Sequence, residues 1–311
     1  MSVSARRRDA RREMAQPSQS AVLDGAIPDM DWTVLPLGTQ PFRFSAPSGS
    51  LAAIALGDVA LDAAGTRVVL VPGATGSKED FTLLMPLLVA AGYFVESFDL
   101  AGQYESSAAG PVAGVRYTYE LFVADLIAFL EAGPTPAHVF GHSFAGIVAE
   151  LALLERPDLF ASLTLLGAPP QPGQAFRGVR WIGRLSYLIR PRMIAGLLIW
   201  GIVTNRGRAD PGRLALLRLR FDYTSRRSVD DIMDLMKHVP DLDSRLADSP
   251  VPMLVAVGRN DLWPIPLHES FAVRIGAALE VYPDGGHSIG ETVPHQLARD
   301  FFTLAGSRAG R

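Results

Sequence analysis

Three side chains that lie far apart in the sequence, Ser143, Asp261 and His287, are of the types that together turn an alcohol into a nucleophile. A serine hydroxyl at its ordinary pKa attacks carbonyls poorly. It needs an imidazole to take its proton, and the imidazole needs a carboxylate to fix its tautomer. Ser143 lies in Ala137-His-Val-Phe-Gly141-His142-Ser143-Phe144-Ala145-Gly146. A short apolar run ends in a small residue, the serine follows two places later, and an apolar helical pattern begins at once. The pattern predicts a strand, a sharp turn and a helix, with the hydroxyl at the apex. So tight a turn requires small residues two places either side, here Gly141 and Ala145. The fifth motif position is usually Gly, and Ala145 relaxes it slightly.

The imidazole is expected from His287, in the turn Pro283-Asp-Gly-Gly-His287 between an apolar strand and a helix. His142 lies inside the turn beside Ser143 and is read as structural; His138, His238, His268 and His295 have no comparable placement. Asp261 is expected to be the acid, in the turn Gly258-Arg-Asn-Asp261-Leu-Trp-Pro264 after another strand. Asp99, which also ends a strand, is the reserve; Asp284 is read as a turn residue. The chain order Ser, Asp, His is the one such a triad takes on a doubly wound sheet. Acyl transfer also requires donors for the oxyanion. These are expected to be the backbone N–H of Phe144, at a helix start where N–H groups are free, and that of Ala74 in the loop Pro72-Gly73-Ala74-Thr75-Gly76-Ser77. A Gly-rich loop can cradle phosphate, but Ser77-Lys78 reverses the Lys-Ser/Thr order of a nucleotide loop.

The elements that must position these residues are legible from apolar patterning. Residues 32–59 alternate in short segments with Gly, Pro and Ser turns, as an antiparallel hairpin does. Strands are then predicted at Arg67–Val71, Tyr93–Phe98, His138–Phe140, Ser162–Leu166, Met253–Val257 and Leu279–Tyr282, and helices at Phe81–Ala91, Tyr119–Leu130 and Gly146–Leu154. Apolar strands alternating with helices predict an α/β protein: a mostly parallel, doubly wound sheet of about eight strands, its site at the carboxyl ends of the strands. The alternation breaks over residues 171–243, which read as a helical cap inserted after the sixth strand. The core is expected over 29–170 and 244–311, and residues 1–28, polar and aperiodic, are expected to be a disordered arm.

At 311 residues with 48% hydrophobic and 20% charged residues, the chain has the composition of a globular protein with a sizeable core. A net charge of −3 gives no global pull toward nucleic acid. With no Cys there is no disulfide, thiol catalysis or Cys-ligated metal. No apolar run reaches the ~18 residues of a membrane span. The arginines Arg6, Arg7, Arg8, Arg11 and Arg12 precede no apolar segment, so no secretory signal is read and a cytoplasmic location is expected; Met14 offers an alternative start.

With these residues in place, the chain resembles the α/β-hydrolase superfamily, in its cap-bearing branch of small-molecule esterases, C–C bond hydrolases and cofactor-free haloperoxidases. The resemblance runs from about Trp32 to Leu304. It rests on Pro72–Ser77, Asp99-Leu-Ala-Gly102 with Ser106, Gly141–Gly146, Gly258-Arg-Asn-Asp261 and Gly285-Gly-His287. Many members have His-Gly where this chain has Pro72-Gly73. Members that open epoxides or remove halide usually carry Asp where this chain has Ser143. The resemblance implies Ser143 as nucleophile, Asp261 as acid and His287 as base, acting on a small-molecule substrate with no metal or organic cofactor.

The cap holds an uneven charge: 12 Arg against two Asp between Gln171 and Val229. Arg177, Arg180 and Arg184 fall opposite Trp181, Ile182, Leu185 and Leu188 on one expected helix. The simpler expectation is a solvated Arg face over an apolar underside, with Trp181, Leu185, Leu188 and Trp200 lining a greasy pocket. The alternative is a cap that recruits an anionic partner: a carboxylate-bearing substrate, a phosphopantetheine-linked acyl group or an anionic membrane surface. Hydrolysis of carboxylic esters is the expected activity. The same triad could instead act on a C–C bond, an amide or lactone, or peroxide through a peracid. A binding protein that has kept the fold without catalysis is the contrasting class.

Overall fold

Strands apolar on both faces pair only where both faces are covered, and the sheet follows that rule. In the computed structural model, which describes residues 17–58, 66–179 and 210–306, eight strands run in chain order. They are β1 (Gln40–Ala46), β2 (Gly49–Leu56), β3 (Arg67–Val71), β4 (Phe94–Phe98), β5 (Ala137–His142), β6 (Phe160–Leu166), β7 (Met253–Gly258) and β8 (Ala278–Tyr282). They form one sheet in the order β1-β2-β4-β3-β5-β6-β7-β8. β1 and β2 are an antiparallel hairpin, β2 meets β4 antiparallel, and every later pair is parallel. This is the mostly parallel α/β sheet of eight strands read from the sequence, hairpin included. Two cores flank it. One gathers Phe98, Phe122, Phe129, Phe144 and Ile147; the other gathers Leu70, Phe81, Leu84, Phe140 and Phe301.

Among the described residues the α-helices are α1 (Gln19–Gly25), α2 (Met85–Ala90), α3 (Tyr119–Glu131), α4 (Phe144–Glu155), α5 (Pro211–Tyr223), α6 (Arg226–Leu235), α7 (Asp243–Ala247), α8 (Ile265–Ile275), α9 (Ile289–Thr292) and α10 (Pro294–Gly306). The single helix expected over Phe81–Ala91 is split. A 3₁₀ turn spans Lys78–Phe81 and α2 begins only at Met85. Pro86 in the first turn of α2 explains the break: it has no N–H to donate, and its ring excludes the turn that would precede it.

The disordered arm expected over residues 1–28 requires a correction where it is described. Gln19–Gly25 form α1, with Ser18 Oγ accepting from Ala21 N–H at 3.2 Å. Asp24 is buried. Its carboxylate accepts from the backbone N–H groups of His295 (2.8 Å) and Gln296 (3.2 Å) at the start of α10. It therefore caps another helix, where a negative charge is favoured. Asp29 does the same for α5, accepting from Gly212 N–H at 3.0 Å. Caps supplied across the fold leave no local pattern in the sequence.

Helices α5 and α6 lie between β6 and β7, inside the insertion expected over 171–243, and α7 starts at its last residue. Trp181, Leu185, Leu188 and Trp200, the expected pocket residues, lie outside the described residues, as do Arg180 and Arg184. Among the described arginines of the insertion, Arg213 and Arg220 turn inward instead of facing solvent. Arg213 and Arg220 of α5 are buried and both bind Asp80, Arg213 at 3.0 Å; Arg213 also pairs with Glu291, and Arg220 donates to Ser77 Oγ at 2.9 Å. Trp32 packs its ring against the Arg213 guanidinium, 5.1 Å from the ring centre.

Helix α4 carries one anomaly. Glu150 is buried, and no donor meets its Oε1 among the described residues. Burial, reinforced by the charge of Asp243, pushes its carboxyl up to about 8. A raised acid favours folding fully below its unfolded value and loses that advantage as pH rises through the folded value. Glu150→Gln should therefore match the wild type in stability near pH 4. Its relative stability should climb between about pH 4.5 and 8, by ~1.4 kcal/mol per pH unit at most, and then level off. Melting temperatures of both proteins across pH 4–9 check this; a gap independent of pH would contradict it.

Candidate active site

Ser143 stands at the end of β5 with φ 52° and ψ −118°, a left-handed conformation that a non-glycine residue adopts only under constraint. The constraint is visible. A Cβ on Gly141 would lie 2.6 Å from the Ala145 carbonyl oxygen, so the turn closes only because position 141 is glycine. Ser143 N–H donates to the Leu166 carbonyl at 2.8 Å, tying the apex to the end of β6. Phe144 opens α4, so its N–H has no acceptor within the helix. Its ring packs in the core, 5.2 Å from the Phe122 ring centre and 5.7 Å from that of Tyr119.

His287 and Asp261 meet across two loops that are laced together. Arg259 N–H donates to the Tyr282 carbonyl at 2.8 Å, and Asn260 N–H to that of Gly285 at 3.0 Å. His287 Nδ1 and Asp261 Oδ2 are 2.9 Å apart. Asp261 is buried, and its other oxygen accepts from Trp263 N–H at 3.0 Å and from His268 Nε2 at 3.3 Å. Burial alone would raise this carboxyl, but His287, His268 and the Trp263 N–H together hold it well below the usual carboxylate range. It is therefore an anion at neutral pH.

The pair lies beside the serine turn. Gly167, which follows the acceptor of the Ser143 N–H, packs against both: a Cβ there would stand 2.7 Å from Asp261 Oδ2 and 3.1 Å from His287 Nδ1. The rings of His142 and His287 are 4.9 Å apart, and His142 Nε2 bonds the His287 carbonyl at 3.1 Å. Burial and the nearby His287 depress His142 to about 4, so it is neutral and donates Nε2–H. Trp263 walls the site, its ring centre 5.7 Å from that of His287.

The loop Pro72–Ser77 closes the other side. A Cβ on Gly73 would lie 3.1 Å from Ser143 Cβ and from the His142 carbonyl oxygen. Gly76 N–H donates to the Gly73 carbonyl at 3.0 Å and Thr75 N–H to Gln103 Oε1 at 2.9 Å. Ala74 N–H meets no acceptor among the described residues.

Asp99, the reserve acid, is committed elsewhere. It accepts from Lys78 N–H at 2.8 Å and faces Lys78 Nζ at 3.4 Å, and burial pushes it up to about 7. Asp284 is exposed. Sequence reasoning passed over His268, Trp263 and Gln103. His268 lies seven residues beyond Asp261, in the first turns of α8, and that spacing was the one signal available for it.

The sequence model of the alpha/beta hydrolase family matches residues 68–300, well over half of the chain. The chain belongs to that family. Among its relatives, this chain is 34% identical over 111 residues to a protein named as a probable esterase from Oryza sativa subsp. japonica, covering 33% of this chain and 38% of the relative. It is 25% identical over 230 residues to a 2-hydroxy-6-oxononadienedioate/2-hydroxy-6-oxononatrienedioate hydrolase from Klebsiella pneumoniae, covering 70% and 77%. The first of these matches therefore spans well under half of its relative. In fold, the chain superposes on a carboxylesterase from the thaumarchaeon Nitrososphaera gargenis with TM-score 0.69 at 18% identity, covering 86% of this chain and all (100%) of that one. A hydrolase from Pseudomonas aeruginosa gives TM-score 0.68 at 20% identity, covering 86% and 98%.

Proposed function

We propose that this hydrolase cleaves carboxylic esters of small apolar acids by a serine acyl-enzyme route. The observation that carries the reading is the His287–Asp261 pair lying against the strained Ser143 turn. With Nδ1–H committed to an anionic Asp261, the lone pair of a neutral His287 ring is on Nε2, which is the base. His287 takes the Ser143 proton as Oγ attacks the carbonyl. The oxyanion falls to the N–H groups of Ala74 and Phe144, which meet no acceptor among the described residues. His287 then protonates the leaving alcohol, and water, activated by the same ring, releases the acid. Asp261 stays ionised throughout and stabilises the imidazolium. The inserted helices act as a cap over this site.

The family resemblance spans esterases and C–C hydrolases, and a relative of each kind is among the matches. A panel of p-nitrophenyl esters of graded acyl length, beside lactones and vinylogous diketones, separates the readings. Esters of short to medium apolar acids should turn over fastest. Faster turnover of a vinylogous diketone than of any ester would move the assignment to C–C cleavage.

A further inference from the structure

The loop that carries Ala74 is bonded, through one buried amide, to a helix of the insertion. Gly73–Gly76 is a four-residue turn closed by Gly76 N–H on the Gly73 carbonyl, with Ala74 and Thr75 at its centre. Thr75 has φ 63°. A positive φ at the third turn residue defines the type II form, which suits Gly and strains a β-branched side chain. The central Ala74–Thr75 peptide thus has a reason to flip to the type I form, where Thr75 would relax. Gln103 opposes the flip. Its Oε1 accepts Thr75 N–H at 2.9 Å, and a flip would leave that buried acceptor facing the Ala74 carbonyl instead.

Gln103 is itself held from the other end. Its Nε2 donates to Ser228 Oγ at 2.6 Å, and Ser228 Oγ donates to the Ala101 carbonyl at 3.2 Å. Gln103 and Ser228 are fully buried. Ser228 lies in the first turn of α6, where Ser225 N–H also donates to the Gly102 carbonyl at 2.8 Å. Gly102 has no side chain to hold α6 away: a Cβ there would lie 2.5 Å from Ser228 Cβ. The amide orientation of Gln103 follows from its partners, because a backbone N–H needs an oxygen at one end and Ser228, already donating to Ala101, accepts at the other.

We propose that Gln103 is a positioning residue that, by holding the Thr75 N–H, tethers the Gly73–Gly76 turn whose Gly73–Ala74 peptide carries the oxyanion-binding N–H, and that Ser228 makes this tether depend on the seating of α6. The inference rests on the serine-hydrolase reading of the site. When α6 docks on residues 101–103, Gln103 is fixed, the turn is held at Thr75, and the Ala74 N–H one peptide away keeps its place beside Ser143. When α6 lifts, the amide loses an anchor and the strained turn is released. Catalytic competence is then coupled to the docking of α6, with no group of α6 touching the substrate.

The test compares wild type, Gln103→Met, Gln103→Glu, Ser228→Ala and Gln103→Met/Ser228→Ala in steady-state hydrolysis of p-nitrophenyl butyrate, with inhibition by a boronic acid as oxyanion mimic. In Gln103→Met, kcat should fall by about 10–100-fold, short of the ~10²–10³ for losing a donor outright, while KM moves by less than about twofold. Boronate affinity should fall in parallel with kcat, a response that loosened packing alone would not give. Gln103→Glu keeps an acceptor for Thr75 N–H and another for the Ser228 hydroxyl, so it should recover most of kcat. Ser228→Ala should lose about 3–10-fold, and the double variant should be no worse than Gln103→Met, as expected of residues acting in one chain. A folded Gln103→Met with wild-type kcat, or a loss carried by KM alone, overturns the proposal. Should Gln103→Met not fold, unchanged kcat and boronate affinity in Ser228→Ala overturn it. A wild type that neither hydrolyses esters nor accepts a fluorophosphonate defeats the serine-hydrolase reading, and this proposal with it. An active wild type with a silent Gln103→Met defeats this proposal alone.

Discussion

Ser143→Ala should lower kcat for ester hydrolysis by about 10⁴-fold or more and leave the fold intact. Alanine is one atom smaller than serine and keeps the same backbone constraint, because φ 52° at this position is imposed by the Gly141 contact and the bond to Leu166. Its melting temperature should stay level or rise slightly, as is common when a strained functional group is removed. His287→Ala should cost about as much activity, and the double variant no more than either alone, because nucleophile and base act as one unit. Both variants should retain residual activity over water through the oxyanion donors. Independent, multiplying losses in the double variant would mean that the two residues do not share a step.

Arg220→Met carries the largest expected effect on stability. Arg220 is 2% exposed, and its guanidinium faces Asp80 and Ser77 across the junction of α5 with the sheet. Burying the pair is opposed by desolvation, so its net worth against an apolar pair is small. Removing one partner is another matter, because Asp80 then keeps a buried charge with one guanidinium, Arg213, already shared with Glu291. Losses of about 3–5 kcal/mol follow from such a half-broken buried pair. At about 2–4 °C per kcal/mol, this corresponds to a melting temperature lower by roughly 6–20 °C. The loss should persist in 1 M salt, since buried pairs are screened little. A shift below about 2 °C would show that the cluster is dispensable and that α5 is held by its apolar contacts.

The sheet was legible because its strands are buried on both faces. Val68, Val69, Leu70 and Val71 are all fully buried, and a continuous apolar run is what such burial writes into a sequence. The serine turn was legible for a steric reason: Gly141 is dictated by the Ala145 carbonyl and Gly146 by the Ala168 Cβ, so sequence and geometry carry the same information there. Asp261 and His287 could be chosen because each follows a strand, and the carboxyl ends of parallel strands converge. What escaped was everything held by a partner remote in sequence. Gln103 meets Ser228 across 125 residues, and Asp24 meets His295 across 271. Neither residue belongs to a periodic pattern. The arginine excess of the insertion was visible, but the inward turn of Arg213 and Arg220 was not, because their partners Asp80 and Glu291 lie in the core segments on either side.

The most direct test of the account is the site of covalent modification by a fluorophosphonate, read by intact mass and peptide mapping. The account predicts one adduct per chain on the peptide containing Ser143, formed slowly or not at all in His287→Ala and absent in Ser143→Ala. An adduct on a different residue, or ester hydrolysis by a chain that takes no adduct at Ser143, would contradict it.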